Sequence, residues 1–122
     1  MNITVIIFHL GNQEYLQKSI QQAIHFKNIV YLIGDDTNRE ISNSSLFQHH
    51  HFNDLTTNTS SQQFLQNYKH VSPNNELFEK ICILRWFAIH KLMEQEKIER
   101  AFICDSDVLI YANLEETITK SP

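Results

Sequence analysis

The first 36 residues constrain the fold more than any other stretch of the chain. Ile3, Val5, Ile6, Ile7 and Phe8 form a short apolar run that reads as a buried strand suited to the centre of a sheet. His9-Leu10-Gly11-Asn12 ends it: Gly11 permits a tight turn and Asn12 is a good helix N-cap. Gln13 to Phe26 then sets Leu16, Ile20, Ala23 and Ile24 on one face of an amphipathic helix, which Asn28 ends. Ile29 to Ile33 is a second apolar strand, stopped by Gly34-Asp35-Asp36. Strand, helix and strand in so short a span pair their strands in parallel through a right-handed crossover.

The rest of the chain supplies two more strands and a long helix. Thr37 to Ser45 is polar and loop-like, and His49 to Leu55 holds a short third strand at about His50–Asn53. His49, His50 and His51 are adjacent, so on a strand they point to alternating sides and cannot share one ion. No zinc-type Cys/His spacing accompanies them, and they read as exposed or half-buried strand residues. Asn53 to Gln63 is a loop or a weakly capped helix start, with Phe64, Leu65 and Tyr68 as one packing helical turn. Ser72-Pro73-Asn74-Asn75-Glu76 is a helix-start signature. The helix from Leu77 to Met93 is apolar almost all round, which predicts heavy burial. Arg85 inside it needs an anionic partner, either an internal carboxylate or a substrate phosphate. Glu94 to Arg100 is a charged exit, and Asn113 to Thr119 starts a further helix.

Between them lies Ala101-Phe102-Ile103-Cys104-Asp105-Ser106-Asp107-Val108-Leu109. Ala101 to Cys104 reads as a buried strand, and two aspartates at its end require an explanation. They can be a plain turn whose carboxylates cap local N–H groups. They can also hold a divalent cation: carboxylates are hard ligands, and Mg²⁺ or Mn²⁺ takes one or two of them plus phosphate oxygens. In extended backbone Asp105 and Asp107 point to the same side, leaving Ser106 to face away or to offer its N–H to a phosphate.

Composition narrows the function classes. The chain has 122 residues and is 42% apolar, enough for one small domain over 1–122 with a real core. Its formal net charge is −4 without any Lys/Arg run, so nucleic acid is not an expected partner. No apolar run reaches the length of a signal-peptide core or a membrane helix. Cys82 and Cys104 sit inside apolar stretches and read as buried, reduced thiols of a cytoplasmic protein.

The expected fold is α/β: a Rossmann-like three-layer sandwich with a mainly parallel sheet of order about 3-2-1-4. The crevice at the reversal between strands 1 and 4 is where such sheets bind ligands. His9-Leu10-Gly11 and Asp105-Ser106-Asp107 face each other across it, with Asp35 one strand away.

These residues resemble the N-terminal, donor-binding part of a GT-A-type glycosyltransferase. The likeness rests on Phe8-His9-Leu10-Gly11-Asn12, Tyr31-Leu32-Ile33-Gly34-Asp35, the helix with Glu79, Arg85 and Trp86, and Asp105-Ser106-Asp107, which is similar to the DxD motif of that superfamily. The resemblance implies that Asp107 binds Mn²⁺ or Mg²⁺ directly and that Asp105 contacts the ribose or the ion. It further implies that His9, Leu10, Gly11, Asp35, Arg85 and Ser106 surround a nucleotide-sugar donor. Only 15 residues follow Asp107, whereas the family's acceptor site lies downstream of the motif. The resemblance therefore implies an incomplete GT-A-like fold with no assignable catalytic base. Its partners are the nucleotide-sugar, and either a second copy or a second chain supplying the other half. Two alternatives stand beside it. One is a non-catalytic nucleotide-binding or interaction domain. The other is a haloacid-dehalogenase-like phosphatase fragment, with Asp105 as nucleophile and Asp107 as acid/base.

Overall fold

A computed structural model describes residues 3–41 and 43–120 of the chain, so Ser42 of the predicted loop lies outside the described residues. The elements run β1 (Thr4–Phe8), α1 (Glu14–His25), β2 (Ile29–Gly34), β3 (Phe47–His51), α2 (Thr59–Asn67), α3 (Glu76–Gln95), β4 (Ala101–Asp105) and α4 (Leu114–Lys120). The four strands form one all-parallel sheet in the order β3-β2-β1-β4. Thr4 pairs with Ile29 on one side and Ala101 on the other, so β1 is central as its apolar run requires. This is the α/β, Rossmann-like architecture and the strand order that the sequence leads one to expect.

Side-chain alternation along β1 and β2 divides the core between the two faces of the sheet. Val5, Ile7, Val30 and Leu32 pack with Leu16, Ile20 and Ala23 of α1. Ile6 and Ile33 face the other way, against Leu84, Ala88, Ile89 and Leu92 of α3, with Phe52 and Leu55 beside them. Each fully buried aliphatic side chain stabilises the fold by about 1.5–3 kcal/mol, so the helices are held mainly by these contacts.

Several local expectations need correction. The third strand is Phe47–His51 rather than His50–Asn53, and Phe52–Leu55 is a 3-10 turn. The buried Phe47 anchors that strand in the core, overriding the weak pattern of the histidines. Asn12 does not cap α1; Gln13 holds the cap position, and its side chain makes no capping bond. At α3 the cap is Asn75, whose side chain accepts from the Phe78 N–H at 3.1 Å, while Ser72 accepts from the Asn74 N–H.

α3 is not buried all round: Leu77, Phe78, Ile83 and Trp86 are exposed. The predicted burial of β4 is likewise wrong, with Phe102 and Ile103 38% and 40% exposed. Both departures have one cause. β4 is an edge strand, and α3 overlies the sheet with only one of its faces. The three histidines are half-buried on β3, as strand alternation predicts, and both cysteines are free and half-buried. Among the described residues no helix is long and apolar enough to cross a membrane.

Candidate functional site

The parallel sheet gathers the loops after β1, β2 and β4 at its carboxyl end, where the order reverses between β1 and β4. Beyond β1 the ladder continues for one residue, the His9 N–H donating to the Ile33 carbonyl at 3.0 Å. Gly11 then turns the chain with φ +117°, a conformation other residues rarely adopt. Gln13 turns its amide oxygen back to His9 Nε2 instead of capping α1. An amide oxygen only accepts, so Nε2 carries the proton and Nδ1 is the acceptor. Its donor is the Ser106 hydroxyl, 2.6 Å away. The β1 loop and the centre of Asp105-Ser106-Asp107 are thus bonded directly.

Asn38 is the hub of the adjoining loops and is only 1% exposed. Its Nδ2 donates to the carbonyls of His9 and Gly11 at 2.9 and 2.8 Å. Its Oδ1 accepts from the Asp35 N–H at 3.0 Å and from His49 Nε2 at 2.7 Å. A Cβ at Gly34 would run into this amide and come within 2.8 Å of His49 Nε2, which is why a glycine ends β2. Asp35 caps the 3-10 turn that carries Asn38, one carboxylate oxygen accepting from the Thr37 N–H and hydroxyl at 3.0 and 2.6 Å.

At the end of β4 the chain does not stay extended. Ser106 is buried, Asp105 and Asp107 are exposed, and a turn is closed by the Val108 N–H donating to the Asp105 carbonyl at 3.2 Å. The expected same-side geometry of an extended i, i+2 pair is therefore replaced by a turn. Ser106 faces away, drawn down to His9. The segment beyond is fixed to α1: Ser19 donates to the Val108 carbonyl at 2.7 Å, and Ile110 is buried in the core. Both carboxylates lie within electrostatic reach of Cys104, whose thiol is pushed up to about 11 by burial and then by Asp105 and Asp107.

Arg85 of α3 comes to this turn, its Nη1 3.7 Å from Asp105 Oδ1 and its guanidinium over the Trp86 ring at 5.0 Å. Its Nε is buried without a hydrogen-bond partner among the described residues. A cleft of about 370 Å³ runs between α3 and β4, lined by Arg85, Trp86, Phe102, Cys104, Asp105 and Val108. A more polar depression of about 460 Å³ lies farther along the sheet, at Arg39, His49, His51 and Asp54.

Of the residues singled out in the sequence, His9, Gly11, Asp35, Arg85, Asp105, Ser106 and Asp107 all stand at this end of the sheet. Leu10 packs into the core on the α3 side. Sequence reasoning missed Asn38 and the bond between His9 and Ser106. Asn38 sits in a polar run that looks like any loop, and only the neighbouring Gly34 hints at a crowded backbone. Among the described residues no three His, Cys, Asp or Glu side chains come together to hold a metal ion. Asp105 and Asp107 are exposed at the turn, and one or two carboxylates with substrate oxygens completing the shell are the usual way Mg²⁺ or Mn²⁺ is held beside phosphates. No protein-family model, curated protein or solved structure matches this chain.

Proposed function

We propose that the loops after β1, β2 and β4 bind a nucleoside-diphosphate sugar together with a divalent cation, Mn²⁺ or Mg²⁺. The observation that carries this reading is the direct bond between the β1 loop and the middle of Asp105-Ser106-Asp107, at the reversal of the strand order. Asp107 is the main ligand to the ion. Asp105 is shared with Arg85, and an exposed pair at 3.7 Å stabilises the fold by no more than about 1 kcal/mol, so Asp105 can be given up to ribose or ion. Arg85, with its unpartnered Nε, faces the anionic end of the donor. The backbone at Gly11 and the capped loop at Asp35 hold the nucleoside. A bound cation supplies Lewis-acid stabilisation of the charge that builds on a leaving diphosphate. The reading assigns binding to this chain and no catalytic base. It also takes in a protein partner, a second copy or another chain, at the exposed edge of β4.

Calorimetric titration with UDP, GDP, CDP and ADP, each with Mn²⁺ and with chelator, tests it on the native chain and on Asp107→Ala. One nucleotide is expected to bind saturably in Mn²⁺. Affinity should fall at least about tenfold in Asp107→Ala, as for a lost charge-assisted contact. Binding that ignores both chelator and the substitution, or no binding at all, sinks the proposal.

A further inference from the structure

We propose that His9 is a positioning residue: its imidazole clasps the Ser106 hydroxyl and thereby fixes the turn that carries Asp105 and Asp107. The functional part rests on the binding site proposed above; the clasp itself can be tested without it. Every polar atom of His9 is already engaged. Its N–H donates to Ile33, its carbonyl accepts from Asn38, its Nε2 is held by Gln13 and its Nδ1 accepts from Ser106. The residue is only 9% exposed and both ring nitrogens are engaged, so neither remains for a ligand. Its role is indirect.

The clasp decides which way the motif faces. With Ser106 drawn inward to His9, the residues on either side are turned out to solvent. Without it, a strand end continuing into an apolar segment would leave the two carboxylates free to adopt other turns. His9 is itself immobilised, since Asn38 ties its carbonyl to the β2 loop and Asn38 is in turn held by His49 of β3. The bond chain Ser106–His9–Asn38–His49 therefore ties one exposed turn to the loops after β1 and β2 and to the middle of β3. Fixing charged groups before the ligand arrives is what preorganisation requires.

The test uses the full chain with Ser106→Ala and His9→Phe. Amide hydrogen exchange, the imidazole ¹⁵N spectrum, the thermal midpoint and the affinity for Mn²⁺ plus each nucleotide of the panel are measured. In Ser106→Ala, exchange from Asp105 to Val108 should quicken by about fivefold, the loss of one ordinary hydrogen bond, with the midpoint lowered by only a few degrees. The His9 Nδ1 resonance should move, because its donor is gone. Affinity for the Mn²⁺–nucleotide should fall by a similar factor, while the metal-free nucleotide binds no differently from wild type. Unchanged local exchange in both variants overturns the clasp. Equal Mn²⁺–nucleotide affinity in wild type and Ser106→Ala overturns the positioning role. If wild type binds no nucleotide, the binding reading falls and takes that role with it, while exchange still reports on the clasp.

Discussion

Cys104 is the residue that reads the candidate site from within. Its thiol is pushed to about 11, first by burial and then by Asp105 and Asp107. At neutral pH it is almost wholly protonated and a poor nucleophile. A cation held by the two carboxylates cancels their share of the shift and leaves the share due to burial. In a Cys82→Ala background, alkylation of Cys104 should be slow in chelator and faster at millimolar Mg²⁺, with its pH profile moved down. Asp107→Ala should raise the rate in chelator and blunt the response to Mg²⁺. A profile indifferent to Mg²⁺ would place the cation elsewhere. The chemistry at this scale was partly legible. Two carboxylates ending an apolar strand stand out in any sequence, because burial makes them costly. That Ser106 is the inward residue of the three was open until its partner was seen, since His9 lies 97 residues away.

Among the elements, β3 carries the clearest dependence on pH. Burial holds both His49 and His50 below the ordinary imidazole value of 6.5; His51 adds to the effect at His49, and Glu96 opposes it at His50. Both are neutral near pH 7, His49 donating to Asn38 and His50 lying 3.1 Å from the Gln48 amide oxygen. Below pH 6.5 the unfolded chain takes up protons at these rings that the folded chain resists. Their contribution is therefore whole above that value and is lost as pH falls through the lower folded values. Urea unfolding at pH 7.5 and pH 5 should show a loss in wild type that shrinks in His50→Gln. An equal loss in both would mean that carboxylates elsewhere set the slope. The strand itself was legible only in outline. β1 and β2 announce themselves by continuous apolar runs, whereas β3 is Phe-Gln-His-His-His, and its one core anchor, Phe47, follows a Ser-Ser-Leu stretch that looks like loop. The caps were legible only by type: Asn12 qualifies but Gln13 holds the cap position of α1, whereas among the polar residues before α3 it is Asn75 that caps. The strand order was legible because a right-handed βαβ unit followed by further parallel strands leaves few arrangements.

For the whole molecule the open question is what covers the outer edge of the sheet. The Thr4 N–H donates to the Arg100 carbonyl, so the even-numbered backbone groups of β4 face β1 and those of Ala101 and Ile103 point outward. The Asp105 carbonyl is already taken by Val108, which closes that end of the edge. Phe102 and Ile103 expose their side chains beside this row, and Trp86 of α3 adds an apolar surface 51% exposed. Natural edges are usually guarded by Lys, Pro or a bulge, and Ala-Phe-Ile-Cys-Asp has neither of those residues. An edge of this kind is a template for another strand, and a second copy of β4 can meet it antiparallel about a two-fold axis. Sedimentation velocity over a concentration series should show association, and Ile103→Lys should weaken it at least about tenfold by placing a charge in the pairing row. Trp86→Ser separates the surfaces: if it alone abolishes association, the contact is through the helix and not the strand. A chain that stays monomeric throughout would mean that the edge is quiet despite its composition.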